Sequence, residues 1–171
     1  EMAVSLNELS VFELCAGLAA KNFSAVELAR SLTQHIQQNS DLGSIATFDP
    51  ASYHKQAEEA DVRRKAGGSM SLDGIPLILK DNIDTKDLPT TGGTGALAGR
   101  RPSKDALAVT ALRRAGAIIP AKAVMHELAF GITSNNYVTG PARNPYDRSK
   151  IPGGSSGGTG SAVSSRQFPA G

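Results

Sequence analysis

A lysine closing an apolar run and a serine pair set between glycines are the residues of this chain best suited to chemistry. Lys80 ends the run Gly74-Ile75-Pro76-Leu77-Ile78-Leu79-Lys80, and Asp81, Asn82 and Asp84 follow it. Ser155 and Ser156 lie in Gly153-Gly154-Ser155-Ser156-Gly157-Gly158, with Ser155 75 residues beyond Lys80. A serine hydroxyl is a weak nucleophile until a base takes its proton. A lysine with its ordinary pKa of about 10.4 is protonated at neutral pH and is no base. Burial disfavours the charged form of an amine, and active sites of α/β sheets gather at strand ends such as this one. Glycines permit unusual turns and close approach of other groups to the backbone. The pair therefore reads as a base and a hydroxyl for acyl transfer. Two plainer readings compete: a lysine snorkelling to solvent and a flexible Gly/Ser linker. Against the linker, Asn144-Pro145-Tyr146-Asp147 ahead of the loop is a turn signal, and Ala162 and Val163 after it suit a buried helix.

Together the two stretches resemble the amidase signature family, whose members hydrolyse carboxylic amides. Lys80 matches the catalytic lysine of the family's "KDNxD" motif, and Ser155 matches the bridging serine of "GGSSGG". Met125-His126-Glu127-Leu128-Ala129-Phe130-Gly131 and Gly140-Pro141-Ala142-Arg143-Asn144-Pro145 are also similar to family sequence. The resemblance runs over roughly residues 72–171. It implies a Ser–Ser–Lys triad in which Lys80, held neutral, takes a proton from Ser155 while Ser155 takes one from the nucleophile. It implies a cis peptide between Gly154 and Ser155, with Gly154 easing the crowding there. Ser156 is the alternative bridging serine by sequence alone, and the match makes it a supporting hydrogen-bond partner. Phe130, Gly131, Ile132 and Ser134 fall where the family's acyl-pocket loop lies, and core packing stands as an equal reading of them. Residues 125–137 look closest to hydrolases of arylacetamide-type primary amides, such as mandelamide or indoleacetamide. Family members are several hundred residues long, and their nucleophilic serine lies about two dozen residues past the bridging one, in a "GGS" turn. Here Gly171 comes sixteen residues after Ser155. The nucleophile, the oxyanion hole and the rest of the single family domain are thus expected outside these 171 residues, and the chain alone is expected to be inactive. The resemblance equally admits an amidotransferase component that acts on charged transfer RNA beside a partner chain.

Other chemistries fit less well. Asp81, Asn82 and Asp84 offer oxygen ligands, but the glycine and distant glutamate of a calcium loop are missing. Asn82 or Asp84 is better read as holding the lysine loop. His126-Glu127 lacks a second histidine four residues on. His35 and His54 fall on separate helices, so no metal is expected. A phosphate loop ends in Gly-Lys-Ser/Thr, whereas this one ends in Gly-Thr-Gly-Ser. A phosphate-binding or purely interacting module is therefore the weaker alternative. Arg143 reads as structural, and the single Cys15 as a buried, inert thiol. No cofactor is expected.

The elements that must position these residues follow from pattern and composition. Eighteen basic and 16 acidic residues leave a net charge of +2, which gives no argument for nucleic acid or an anionic membrane. No apolar run approaches the ~18–20 residues of a membrane span. No basic region followed by an apolar core marks a signal peptide, and Glu1 ahead of Met2 reads as an added residue. A lone cysteine fits a reducing compartment, so a cytoplasmic protein is expected. Its expected partner is a small-molecule amide, and a homodimer is left open. Residues 5–22 predict an amphipathic helix capped by Ser5 and Glu8, with Leu9, Phe12 and Ala16 on its inner face. Ser24 with Glu27 caps a second helix, which Asn39 to Gly43 ends. Ile45 to Phe48 is a short strand, and Asp49 with Pro50 opens a third helix that Gly67-Gly68 stops. Residues 77–80 are apolar enough for a strand buried on both faces, and 81–104 read as irregular loop. Asp105 is expected to cap a helix through Ala115, followed by a strand over 117–122. Pro120 cannot donate to a central ladder and predicts an edge or a bulge. The alternation argues for an α/β layered fold, which the resemblance makes α/β/α with a mixed sheet. The helical region covers about 1–68 and the α/β catalytic region starts at about 72.

Overall fold

A computed structural model describes residues 5–171; the readings of Glu1 and of the extreme N-terminus lie outside the described residues. The first helical stretch is split. A single 3-10 turn over Leu6–Glu8 receives no side-chain cap from Ser5, and Leu9 behind it is extended. Ser10 caps helix α1 (Val11–Ala19) instead, in a capping box with Glu13. The buried stripe is Leu14 and Leu18, four residues apart, whereas Phe12 is 83% exposed and Ala16 is also outside. The expected inner face was thus rotated, because the helix starts five residues later than Ser5 would start it.

Helix α2 (Ala25–Gln38) has the capping box of Ser24 and Glu27 and buries Leu28, Leu32 and Ile36. Helix α3 (Pro50–Lys65) is capped by Asp49 and buries Tyr53, Ala57 and Ala60 against α2. Asp61 ties the two together: its carboxylate accepts the Ala25 and Val26 amides at 2.8 and 3.1 Å.

Strands β1 (Ile45–Phe48), β2 (Pro76–Lys80) and β3 (Ile118–Ala123) form a sheet in the order β1-β3-β2. β1 runs antiparallel to β3 and β2 parallel to it, so the sheet is mixed. Pro120 therefore sits in the central strand, not at an edge. It is tolerated because the ladder slips there: Pro76 pairs with Ile118 but Ile78 with Ala121, which leaves one extra residue on β3.

Helices cover both faces of the sheet. Leu79 and Ile119 pack on Val109 of helix α4 (Leu107–Arg114). Ile78, Ala121 and Ala123 pack on Ala162 of helix α5 (Gly157–Ser164), with Ile36 and Phe168. Asp105 does not cap α4. Ala106 holds that position without a side-chain bond, while the Asp105 carboxylate accepts the Lys86 amide at 2.8 Å and pairs with Arg113 at 3.1 Å. The far edge of β2 receives the end of the chain, where the Ile78 amide donates to the Ala170 carbonyl at 3.3 Å. No helix among the described residues is long and apolar enough to cross a membrane.

Candidate active site

Side chains alternate along a strand, so Lys80 leaves β2 on the face of Ile78, the face that α5 covers. Its Nζ donates to Ser155 Oγ at 2.6 Å. The loop bearing Ser155 reaches this place because other backbone passes directly beneath it. A Cβ on Gly154 would lie 2.7 Å from the Ile132 carbonyl carbon and 3.0 Å from Thr133 N. The peptide between Gly154 and Ser155 is cis. The Ser155 carbonyl accepts the His126 amide at 3.0 Å, and Gly158 N donates to the Val124 carbonyl at 2.9 Å. These bonds fasten the loop to the chain leaving β3.

Ser134 lies beneath the loop and is fully buried. Its hydroxyl accepts the Gly157 amide at 2.9 Å and donates to the Ser155 carbonyl at 3.4 Å. Ser134, one of the four residues expected at the acyl pocket, thus bonds the serine loop. Phe130 is 93% exposed and Ile132 75%. Gly131 packs against the His126 ring. Ser156, expected as a hydrogen-bond partner, is exposed and its hydroxyl makes no bond among the described residues. Among the described residues it is the Ser134 hydroxyl that bonds the Ser155 carbonyl and the Gly157 amide.

Of the two residues expected to hold the lysine loop, Asp84 bonds across it and Asn82 does not. Asn82 is exposed and without a side-chain hydrogen bond among the described residues. Asp84 pairs with Arg100 at 2.8 Å, and that guanidinium holds its carboxyl below the usual carboxylate value. Asp81, read in the sequence only as a poor metal ligand, is the buried anchor. Its amide donates to the Ala123 carbonyl at 3.2 Å, its carbonyl accepts Gly92 N at 2.8 Å, and its carboxylate accepts the Thr91 hydroxyl and amide. Lys122, overlooked in the sequence, is fully buried 3.5 Å from that carboxylate. The signal was present: a lysine between two alanines in an apolar strand must find partners or not be buried.

At 2.6 Å, Lys80 and Ser155 are within reach for proton transfer. A neutral amine could accept the Ser155 proton, and the oxygen so uncovered could take one from a third group. Cys15 is half-buried with its thiol 3.6 Å from the Ser71 carbonyl, and burial pushes the thiol's pKa up.

The Amidase family model matches residues 27–171. A glutamyl-tRNA(Gln) amidotransferase chain of Legionella pneumophila (strain Corby) is 38% identical over 164 residues, 96% of this chain and 34% of that protein. Indoleacetamide hydrolase of Agrobacterium vitis is 42% identical over 149 residues, 87% of this chain and 32% of that one. Native peptide amidase from Stenotrophomonas maltophilia shares the architecture with a TM-score of 0.87 at 33% identity, over 94% of this chain and 35% of that structure. The chain spans about a third of the length of the proteins it matches. With the lysine and serine motifs in contact and the family model matching most of the sequence, the chain belongs to the amidase family.

Proposed function

We propose that the protein hydrolyses a carboxylic amide to acid and ammonia, with Lys80 as base and Ser155 as proton relay. The observation that carries this reading is the 2.6 Å contact between Lys80 Nζ and Ser155 Oγ. The nucleophile's hydroxyl oxygen attacks the amide carbonyl as its proton passes to Ser155 Oγ, and the Ser155 proton passes to the Lys80 amine, which acts as the base. When the tetrahedral adduct collapses, the proton returns through Ser155 to the leaving nitrogen, and ammonia departs. Water then cleaves the ester by the same relay.

No other hydroxyl among the described residues hydrogen-bonds to Ser155 Oγ. We therefore assign the nucleophile to sequence beyond Gly171. The 171-residue chain alone should release no ammonia from an amide, because both nucleophile and oxyanion donors are needed, and losing one such donor alone costs about 10²–10³ in rate. Lys80-dependent ammonia release by these 171 residues would place the nucleophile within them.

Likeness to an indoleacetamide hydrolase supports an arylacetamide-type primary amide as substrate. A cytoplasmic setting, in which Cys15 stays reduced, accompanies this reading. A second reading is favoured by the likeness to a glutamyl-tRNA(Gln) amidotransferase chain over 96% of the sequence: ammonia delivered to charged transfer RNA beside a partner protein. Ammonia release from indoleacetamide by a longer protein carrying this sequence, without nucleotide or transfer RNA, separates the two. Release under those conditions is expected; no release from indoleacetamide, with amidation of charged transfer RNA only when ATP and a second protein are present, would establish the other.

A further inference from the structure

We propose that Lys122, which the amide chemistry does not use, is the positioning residue that holds Lys80 on Ser155; the proposal rests on the reading of Lys80 as the base. Lys122 stands opposite Leu79 in the register of β2 and β3, one position from Lys80. It therefore leaves the sheet on the opposite face from Lys80. There it is 0% exposed. Its amine donates to the Ile83 carbonyl and to Thr90 Oγ1, both at 2.8 Å. The Pro89 carbonyl lies at 3.3 Å, Thr85 Oγ1 at 3.5 Å and Asp81 Oδ1 at 3.5 Å.

All five oxygens belong to residues 81–90, the segment that begins at the residue after Lys80. An ammonium has three donors and no acceptor, so it suits a cage made only of oxygens. Nothing else in the cage carries positive charge. Asp81 Oδ1 has no conventional hydrogen bond, and the ammonium is its nearest counter-charge. Burial pushes the Lys122 amine's pKa down, and the Asp81 carboxylate opposes this only in part.

The consequence for Lys80 follows from the backbone. Asp81 is clamped to Ala123 by its amide, to Gly92 by its carbonyl, and to Thr91 and Lys122 by its carboxylate. Lys80 is the residue before that clamp, and its long, flexible side chain must deliver Nζ to a hydroxyl 2.6 Å away. A displacement of about 1 Å in such a pair costs about 10²-fold in rate. Methionine at 122 would fill the space but donate nothing. The Pro89 carbonyl and Asp81 Oδ1 would then have no donor, the Ile83 carbonyl would keep only the 3.4 Å bond from Thr90 Oγ1, and the turn would open.

The test is Lys122→Met, studied in the 171-residue chain and in a longer protein carrying this sequence. The expected crystal structure has Lys80 Nζ beyond about 3.5 Å from Ser155 Oγ, outside hydrogen-bond range. The amides of Thr91 and Gly92 should exchange at least tenfold faster, with those of α2 unchanged. In the longer protein kcat should fall by about 100-fold or more, with KM within about threefold. A variant that keeps the 2.6 Å contact and wild-type exchange at Gly92 overturns the proposal, whether or not the longer protein is active. So does one that melts lower but keeps wild-type kcat, since Lys122 would then be only a staple. If Lys122→Met does not fold, Thr90→Val removes one acceptor and should lower kcat about tenfold at constant KM; wild-type kcat in it is the contrary result. Lys80→Ala run alongside separates the two claims. If it keeps wild-type kcat, the reading of Lys80 as base fails; if it is dead while Lys122→Met is fully active, only the positioning claim fails.

Discussion

Gly158→Ala should destabilise the region that carries Ser155, and Gly160→Ala, one half-turn away in the same helix, should not. Gly158 is buried in the first turn of α5. A methyl there would lie 2.5 Å from the Ser44 carbonyl oxygen and 2.5 Å from Val124 N, and closer still to the Val124 carbonyl. Ordinary carbon contacts are about 3.5–4.0 Å, so α5 must retreat by about 1 Å. All three obstacles are backbone, and none can rotate aside. Such overpacking costs about 1–3 kcal/mol, and the rigidity of the obstacles puts this case near 3. Alanine's better helix propensity returns about 1 kcal/mol. The net loss is about 2 kcal/mol, or a Tm lower by about 4–8 °C at this chain length. At Gly160 an added Cβ meets nothing within 4 Å, so only the propensity gain of up to about 1 kcal/mol remains and Tm should rise by a few degrees. Thermal melts followed by far-ultraviolet circular dichroism measure both. If Gly158→Ala melts at or above the wild type, α5 does not rest on Ser44 and Val124, and the placement of Ser155 argued from that contact is wrong.

Asp73 is fully buried with Arg63 at 2.7 Å and Arg64 at 3.9 Å. Asp73→Ala should cost about 3 kcal/mol, the low end for breaking a buried pair because Arg63 reaches solvent; a denaturant midpoint unchanged from wild type would contradict this. Ser24→Ala should cost about 1 kcal/mol by removing the cap of α2, read in the same titration. The Glu27 carboxyl is held below its ordinary value of 4.5 by the Ser24 amide and hydroxyl. Its folded pKa is depressed, so its contribution is full above pH 4.5 and fades as pH falls through the lowered value. Wild type and Glu27→Gln should therefore differ in Tm at neutral pH and converge in acid; a constant gap would refute the capping box as the source.

Much of this fold was legible because local chemistry and tertiary packing agreed. β1 and α3 begin and end where Gly43, Asp49-Pro50 and Gly67 signal. The capping box at Ser24 and Glu27 also stands as read. The failures came where two local signals competed. Ser5 and Ser10 each have a glutamate three residues on, and only the second is followed by the Leu14 and Leu18 stripe that the core accepts. Asp105 carries a cap's side chain but spends it on Lys86 and Arg113 from distant parts of the chain. Pro120 kept its bulge but not its edge, because sheet order is a property of long-range pairing. At the site, Lys80 and Ser155 were legible from motif. The supporting roles of Asp81, Lys122 and Ser134 were not, since each depends on which loop folds over it.

In the function proposed above, Lys80 and Ser155 act as one proton-moving unit. A double-mutant cycle in kcat tests it most directly, using Lys80→Ala, Ser155→Ala and both together in a longer protein carrying this sequence, with ammonia release from indoleacetamide as the readout. Residues that work as a unit are non-additive. The 2.6 Å contact predicts that each single variant loses nearly all activity and that the double variant loses no more than either. Independent, multiplicative losses, or a Lys80→Ala protein with wild-type kcat, would contradict it.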